Sequence, residues 1–311
     1  MNRLLFALLV LLATSLMGSS FAVGKVGLSY VSPLLLVGIR FVLAGAIMAL
    51  AVRLQQRRLP DNVKDWTKLL VVGACQTTVV MGCIFLSMRT IPAGETSILT
   101  FLNPLFVVVF GVLFMGIRYR FRQWLGVVVG FGGVFITLGF HLQLSSGTML
   151  GLGSALAWAA ATLLVKKWGA GFDHYVLTAY QMLFGGLLLL LLAFSMETPR
   201  LVLNWTSLGV IFYLVILGSI VQFATWYYLL GKGDPGRTSA FLFLAPFFGV
   251  LTGWLVLGEA IHRYVYAGGL FIFVGIFLVN WTSRPKKRRQ DNALRRAAFM
   301  SNALRRQDEH L

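Results

Sequence analysis

Ionisable side chains are rare inside the long apolar runs of this 311-residue chain, so the few that lie there are where any chemistry would sit. Arg40 falls about eight residues into one run and Glu95 opens another. A charge held in hydrocarbon must be compensated, which makes both functional candidates. Arg40 reads as pairing with Glu95 or meeting an anionic group on a solute; the alternative is an Arg snorkelling to the headgroups. Glu95 is the acid for which a proton and a solute would compete, although at a helix start its anion would equally serve as a cap. Gln76, Gln222 and Asn103 place neutral hydrogen-bonding groups in apolar runs, and Trp158, Trp226 and Tyr227 place aromatic faces there. Such faces stack on flat or cationic solutes. Gln222 and Trp226, four residues apart on one helix face, either line a cavity or bridge helices. Asp173, Glu197, Asp234 and Glu259 stand at run ends, where water is expected to solvate them.

These residue types do not assemble into a catalyst. The sequence has no Gly-rich phosphate loop and no zinc-ligand spacing, and its four His lie near run boundaries or in the C-terminal tail. No metal or cofactor is expected.

The elements that must position these groups follow from composition. The chain is 58% hydrophobic and 12% charged, with mean hydropathy +0.81. Lipid must be the solvent for much of such a surface. Ten runs approach the roughly 20 residues that a spanning helix needs: 4–24, 32–52, 67–88, 93–116, 121–140, 147–166, 174–196, 206–231, 236–258 and 264–283. The expected fold is an all-α integral membrane protein of ten transmembrane helices. With the N-terminus in the cytoplasm, 22 of the 27 Lys and Arg fall on the cytoplasmic side, which places both termini there. The net charge of +17 therefore reports topology and contact with anionic membrane lipid, and a nucleic-acid partner is not expected. Residues 1–22 resemble a secretory signal, but Lys25 and Lys166 end spans 1 and 6 at matched positions, so a retained first helix is expected.

The chain also writes one segment twice. Gly94, Thr96, Ser97, Leu102, Pro104, Gly111, Gly116 and Gly133 recur 142 positions on as Gly236, Thr238, Ser239, Leu244, Pro246, Gly253, Gly258 and Gly275. Residues 1–145 and 146–283 are thus expected to be five-helix repeats, followed by a basic cytoplasmic tail, 284–311. An odd number of spans per repeat inverts the second half, which supplies two similar packings open to opposite sides. Pro104 and Pro246 each remove a hydrogen bond at matched depth and predict a kink at the carbonyls of Thr100 and Leu242, either a static bend that improves packing or a hinge and cavity wall in both halves. Gly126 and Gly130 form a GxxxG, suited to an internal helix pair or a dimer seam.

Together these features resemble the drug/metabolite transporter superfamily, in particular bacterial proteins with two EamA-type repeats. The residues carrying the likeness include Ile39, Arg40, Phe41, Ala44 and Gly45, Trp158, and Leu257, Gly258 and Glu259. The first half departs from the pattern, with Met115, Gly116 and Ile117 where Leu-Gly-Glu is expected and Met17 for a Trp. The resemblance implies a bacterial inner-membrane carrier of amino acids, other metabolites or drug-like compounds, most often an exporter, with spans 1, 3, 4, 6, 8 and 9 around the path. An importer or facilitator is the rival within transport, and a lipid flippase the rival from another class. Oligomeric state stays open between monomer and homodimer.

Overall fold

The apolar runs do fold as helices. In the computed structural model, residues 3–116, 120–137, 145–232, 241–260 and 263–280 are described, apart from a few side chains within helices. The helices are α1 (Arg3–Gly27), α2 (Pro33–Leu54), α3 (Val63–Ser87), α4 (in two pieces, Ala93–Thr100 and Asn103–Met115), α5 (Phe121–Thr137), α6 (Ser146–Trp168), α7 (His174–Met196), α8 (205–232), α9 (Leu244–Leu257) and α10 (Arg263–Asn280). Among the described residues, α1, α2, α3, α4, α6, α7 and α8 contain stretches long and apolar enough to cross a membrane, and the apolar stretches in α9 and α10 are shorter. The tail, with its repeated Asn-Ala-Leu-Arg-Arg, lies outside the described residues.

Local sequence explains the helix ends. Asn62, Ser145 and Asp173 cap α3, α6 and α7 by accepting hydrogen bonds from early backbone amides, and Asn204 forms a reciprocal capping box with Ser207 at α8. Gly116 and Gly258 end α4 and α9 at φ +61 and +64, a left-handed turn that glycine takes without strain.

Two glycine seams hold helices at close range. A side chain at Gly45 would strike the Leu183 backbone, and one at Gly186 would strike the Phe41–Val42 backbone, so α2 and α7 cross in near contact. Gly133 likewise abuts Gly268 and Ile272, and Gly275 abuts Gly126 and Gly130, joining α5 to α10. The GxxxG is therefore spent on a partner within the chain. α1 runs beside α8 and α9, and α6 runs beside α3 and α4. The main buried apolar cluster lies around α2 and α7 and includes Leu36, Phe41, Met182 and Leu189.

The α2–α7 pair is tied at both ends. At one end Ser32 N donates to Arg200 O (3.0 Å), Val202 N to Tyr30 O (2.9 Å) and Leu34 N to Glu197 Oε2 (3.1 Å). At the other, Arg57 Nη1 donates to Asp173 Oδ2 (2.9 Å) and the guanidinium lies 4.4 Å from the Tyr175 ring centroid. Asp173 and Glu197 are thus engaged, not free in water as expected, because each stands where two helix ends meet.

Candidate functional site

The middle of the molecule is built around a break in α4. Pro104 was expected to kink a continuous helix at Thr100. Instead the helix stops at Thr100, turns through Phe101 and Leu102, and restarts at Asn103 with Pro104 in its first turn. A missing N–H costs nothing there. Pro246 occupies the same place in the first turn of α9, preceded by a tight turn at Phe241–Phe243. Gly236, Thr238 and Ser239, which continue the repeat upstream, lie outside the described residues.

The break turns Phe101 inward. Its ring lies between Phe21 of α1 (centroids 6.1 Å apart) and Trp158 of α6 (5.4 Å), tilted 50° and 58° to them. Beside this aromatic cluster Thr100 Oγ1 and Ser154 Oγ are hydrogen-bonded at 2.8 Å, and Asn103 is buried at the restart. Trp158 is half-buried. Sequence reasoning named Trp158 and Asn103 but missed Phe21 and Phe101, which look like ordinary apolar residues until the break groups them.

A second feature is a widened helical turn in α3 (Ala74–Val79) and another in α8 (Tyr213–Val221) at the matched position. Widened turns leave carbonyls poorly bonded and recur at functional places. Arg40 reaches from α2 into the α8 turn, donating from Nε to Ser219 Oγ (2.9 Å) and from Nη2 to Gly218 O (2.6 Å), with its guanidinium 4.8 Å from the Phe41 centroid. Ser219 Oγ in turn donates to Leu214 O at 2.9 Å. The matched position on α7 is Gln181, whose Oε1 accepts from Thr77 Oγ1 in the α3 turn (3.2 Å). Arg40 therefore does not pair with Glu95, and at 5% exposure it does not snorkel. Gln76 is half-buried in the α3 turn.

Gln222 is buried on α8 (3% exposed), and Trp226 packs against Val10, Ala13 and Leu229 in a small cluster between α1 and α8. The Tyr227 side chain lies outside the described residues.

A third cluster sits where α1, α4 and α9 end together. Glu259 accepts from Ala93 N (2.6 Å) and Gly94 N (3.0 Å) through its two carboxylate oxygens, and Lys25 Nζ lies 3.3 Å from Oε1. Lys25 Nζ also donates to Ile91 O at 2.8 Å. The cap of α4 is thus Glu259 and not Glu95, although Glu95 stands in the same first turn and feels both Glu259 and Lys25. Glu259 was expected in water; the Gly258 turn folds it back instead. Its position in Leu257-Gly258-Glu259 was the signal available in sequence.

Among the described residues, a helical bundle with helices long and apolar enough to cross a membrane, a broken helix and paired widened turns has the build of a membrane transporter. The model of the EamA-like transporter family matches residues 4–139 and again 145–281, and the chain belongs to that family. It is similar to the transporter YvbV of Bacillus subtilis (29% identity over 293 residues, 90% of this chain and 93% of YvbV). Protein PecM of Dickeya dadantii is 30% identical over 264 residues (83% and 86%). The inner membrane transporter YedA of Escherichia coli K12 is 24% identical over 275 residues (84% and 86%). A solved crystal structure superposes with TM-score 0.63 at 21% identity, covering 89% of this chain and 96% of that one, a likeness of fold.

Proposed function

We propose that the chain carries small organic solutes (amino acids, other metabolites or drug-like compounds) out of the cytoplasm across a bacterial inner membrane, by alternating access. In this reading the helices form ten spans in two inverted repeats, 1–145 and 146–283, with both termini and the tail 284–311 in the cytoplasm. The observation that carries it is the pattern of helix neighbours. Exchanging each helix for its counterpart five places on turns the α1–α9 contact into α6–α4, and α1–α8 into α6–α3. The same exchange returns α2–α7 and α5–α10 to themselves. A two-fold arrangement of this kind supplies two packings of similar energy, one open to each side.

The solute would pass the Phe21–Phe101–Trp158 cluster, with Asn103, Gln76 and Gln222 as hydrogen-bonding groups and Trp226, Tyr227 and Arg40 further along the path. Glu95 is the proposed coupling acid, and Pro104 and Pro246 the hinges, because each opens a helix segment beside a break. The likeness to YedA, an inner membrane transporter, supports the location. The test is an untargeted comparison of extracellular metabolites from cells overproducing the protein or its Trp158→Ala variant, each with and without a protonophore. A compound enriched outside only with the intact protein supports export, and its loss with protonophore supports proton coupling. Enrichment inside the cells would make the protein an importer or facilitator.

One observation favours a second reading, lipid translocation. A cavity of about 270 Å³ with mostly apolar walls lies between α4, α9 and α10, against Ile98, Pro246, Val250 and Ile272, with Phe247 and Trp254 exposed at its rim. Movement of labelled phospholipid across vesicles containing the protein would replace the solute reading with this one.

A further inference from the structure

We propose that Glu259, Lys25 and the first turn of α4 form a latch that closes one mouth of the solute path and parts once in each transport cycle. This rests on the alternating-access reading, in which that mouth faces outward. Glu259 belongs to the second repeat, whereas Lys25, Ile91, Ala93 and Gly94 belong to the first. Alternating access requires the two repeats to separate at one mouth while they close at the other.

The latch is strong in its parts. A carboxylate at a helix N-terminus meets unpaired amides and the positive end of the helix dipole, and hydrogen bonds to an anion are about twice as strong as neutral ones. Glu259 makes two such bonds and faces an ammonium with its side chain only 14% exposed, so water screens the contact weakly. The approach is also shaped for it. Side chains at Gly94 or Gly253 would crowd Val250 or the carboxylate, so both positions leave room for α9 to close on α4.

The latch is nevertheless reversible. The Lys25 side chain is 30% exposed, so water is at hand to take over its side of the contact when the mouth parts. It is also one-sided. The positions matching Lys25 and Gly94 in the other repeat are Lys166 and Gly236, but the position matching Glu259 is Ile117. The opposite mouth has no glutamate in that place, so the resting balance leans toward closure at the Glu259 mouth.

Spin labels on Ser29 and Ala260, both exposed, would read the separation across this mouth once the chain's two cysteines, Cys75 and Cys83, are replaced by Ala. The intact protein should give one short distance population, and Glu259→Gln should raise the open-to-closed ratio about tenfold, the loss of one charge-assisted contact. Lys25→Met should shift it in the same direction. Labels on Leu50 and Leu70, exposed on α2 and α3 within the first repeat, should stay fixed in all variants. If both variants match the intact protein, or if the α2–α3 distance moves as well, the latch is refuted. In the second outcome Glu259 is a clamp on the whole fold. The measurement needs no solute, so opening of the latch in a protein that moves no solute would count against the transport reading alone.

Discussion

Replacing Arg40 separates its hydrogen bonds from its charge. The guanidinium makes two bonds to neutral acceptors, Ser219 Oγ and Gly218 O, in a widened turn that needs its carbonyls satisfied. Arg40→Met keeps the stem and removes both. Ser219 Oγ still donates to Leu214 O, so the orphan is the Gly218 carbonyl. Bonds from a charged donor contribute roughly 1.5–3 kcal/mol each, and relief of guanidinium burial offsets part of that loss. The expected net loss is about 2–3 kcal/mol. Arg40→Gln is the informative companion. Its Nε2 falls where Arg Nε stands, so the Ser219 bond survives and only the Gly218 bond goes, and the loss should be about half. Thermal unfolding in detergent, with surface expression as a control for insertion, reads both. If Arg40→Met is as stable as the intact protein the bracing role is wrong, and if Gln is no better than Met the charge, not the Ser219 bond, is what matters.

The glycine seams and the helix caps make their own forecasts. Gly186→Ala and Gly45→Ala press on the same α2–α7 crossing and should each cost roughly 1–3 kcal/mol, while Gly132→Ala, in mid-helix with open space around it, should be neutral to slightly stabilising by the same thermal measurement. Burial raises the Asp173 carboxyl, but the Arg57 hydrogen bond and charge and the Tyr175 and Val176 amides outweigh it and hold the group below the usual carboxylate range. A group depressed on folding stabilises fully above its unfolded value near 3.9, and that contribution is lost as pH falls through the folded value. The stability difference between the intact protein and Asp173→Asn should therefore be flat from about pH 5 to 8 and shrink below about pH 4.

Sequence patterning carried the helices well and the side-chain partners poorly, for a physical reason. Run length and glycine spacing are properties of the chain taken segment by segment, and the repeat of Gly45 at Gly186 or Gly116 at Gly258 is visible in one line of text. Partners are set by which helix ends meet. Arg40 and Glu95 looked like a pair because they were the two charges in apolar runs, yet Arg40 bonds α8 and Glu95 stands beside Glu259 and Lys25. Phe101 became a site residue only because α4 breaks at that point, and the prolines gave the break without its geometry. Pro104 suggests a bend after Thr100, whereas the chain uses it to start a new helix.

What the two halves share and what they do not divides the molecule into scaffold and device. The shared positions are glycines at crossings, left-handed glycines at helix ends, prolines at restarts and widened turns in α3 and α8. They set backbone approach, and in the proposed alternating-access reading, where they also place the hinges, a two-fold arrangement needs them twice. The unshared positions are side chains that recognise or pin: Arg40 against Gln181, Trp158 against Met17, Glu259 against Ile117. A carrier with two identical halves would have equal energy open to either side and no preferred direction of rest. Directional bias has to come from residues that break the repeat, and it is among these unshared side chains that substitutions should alter transport without altering the fold.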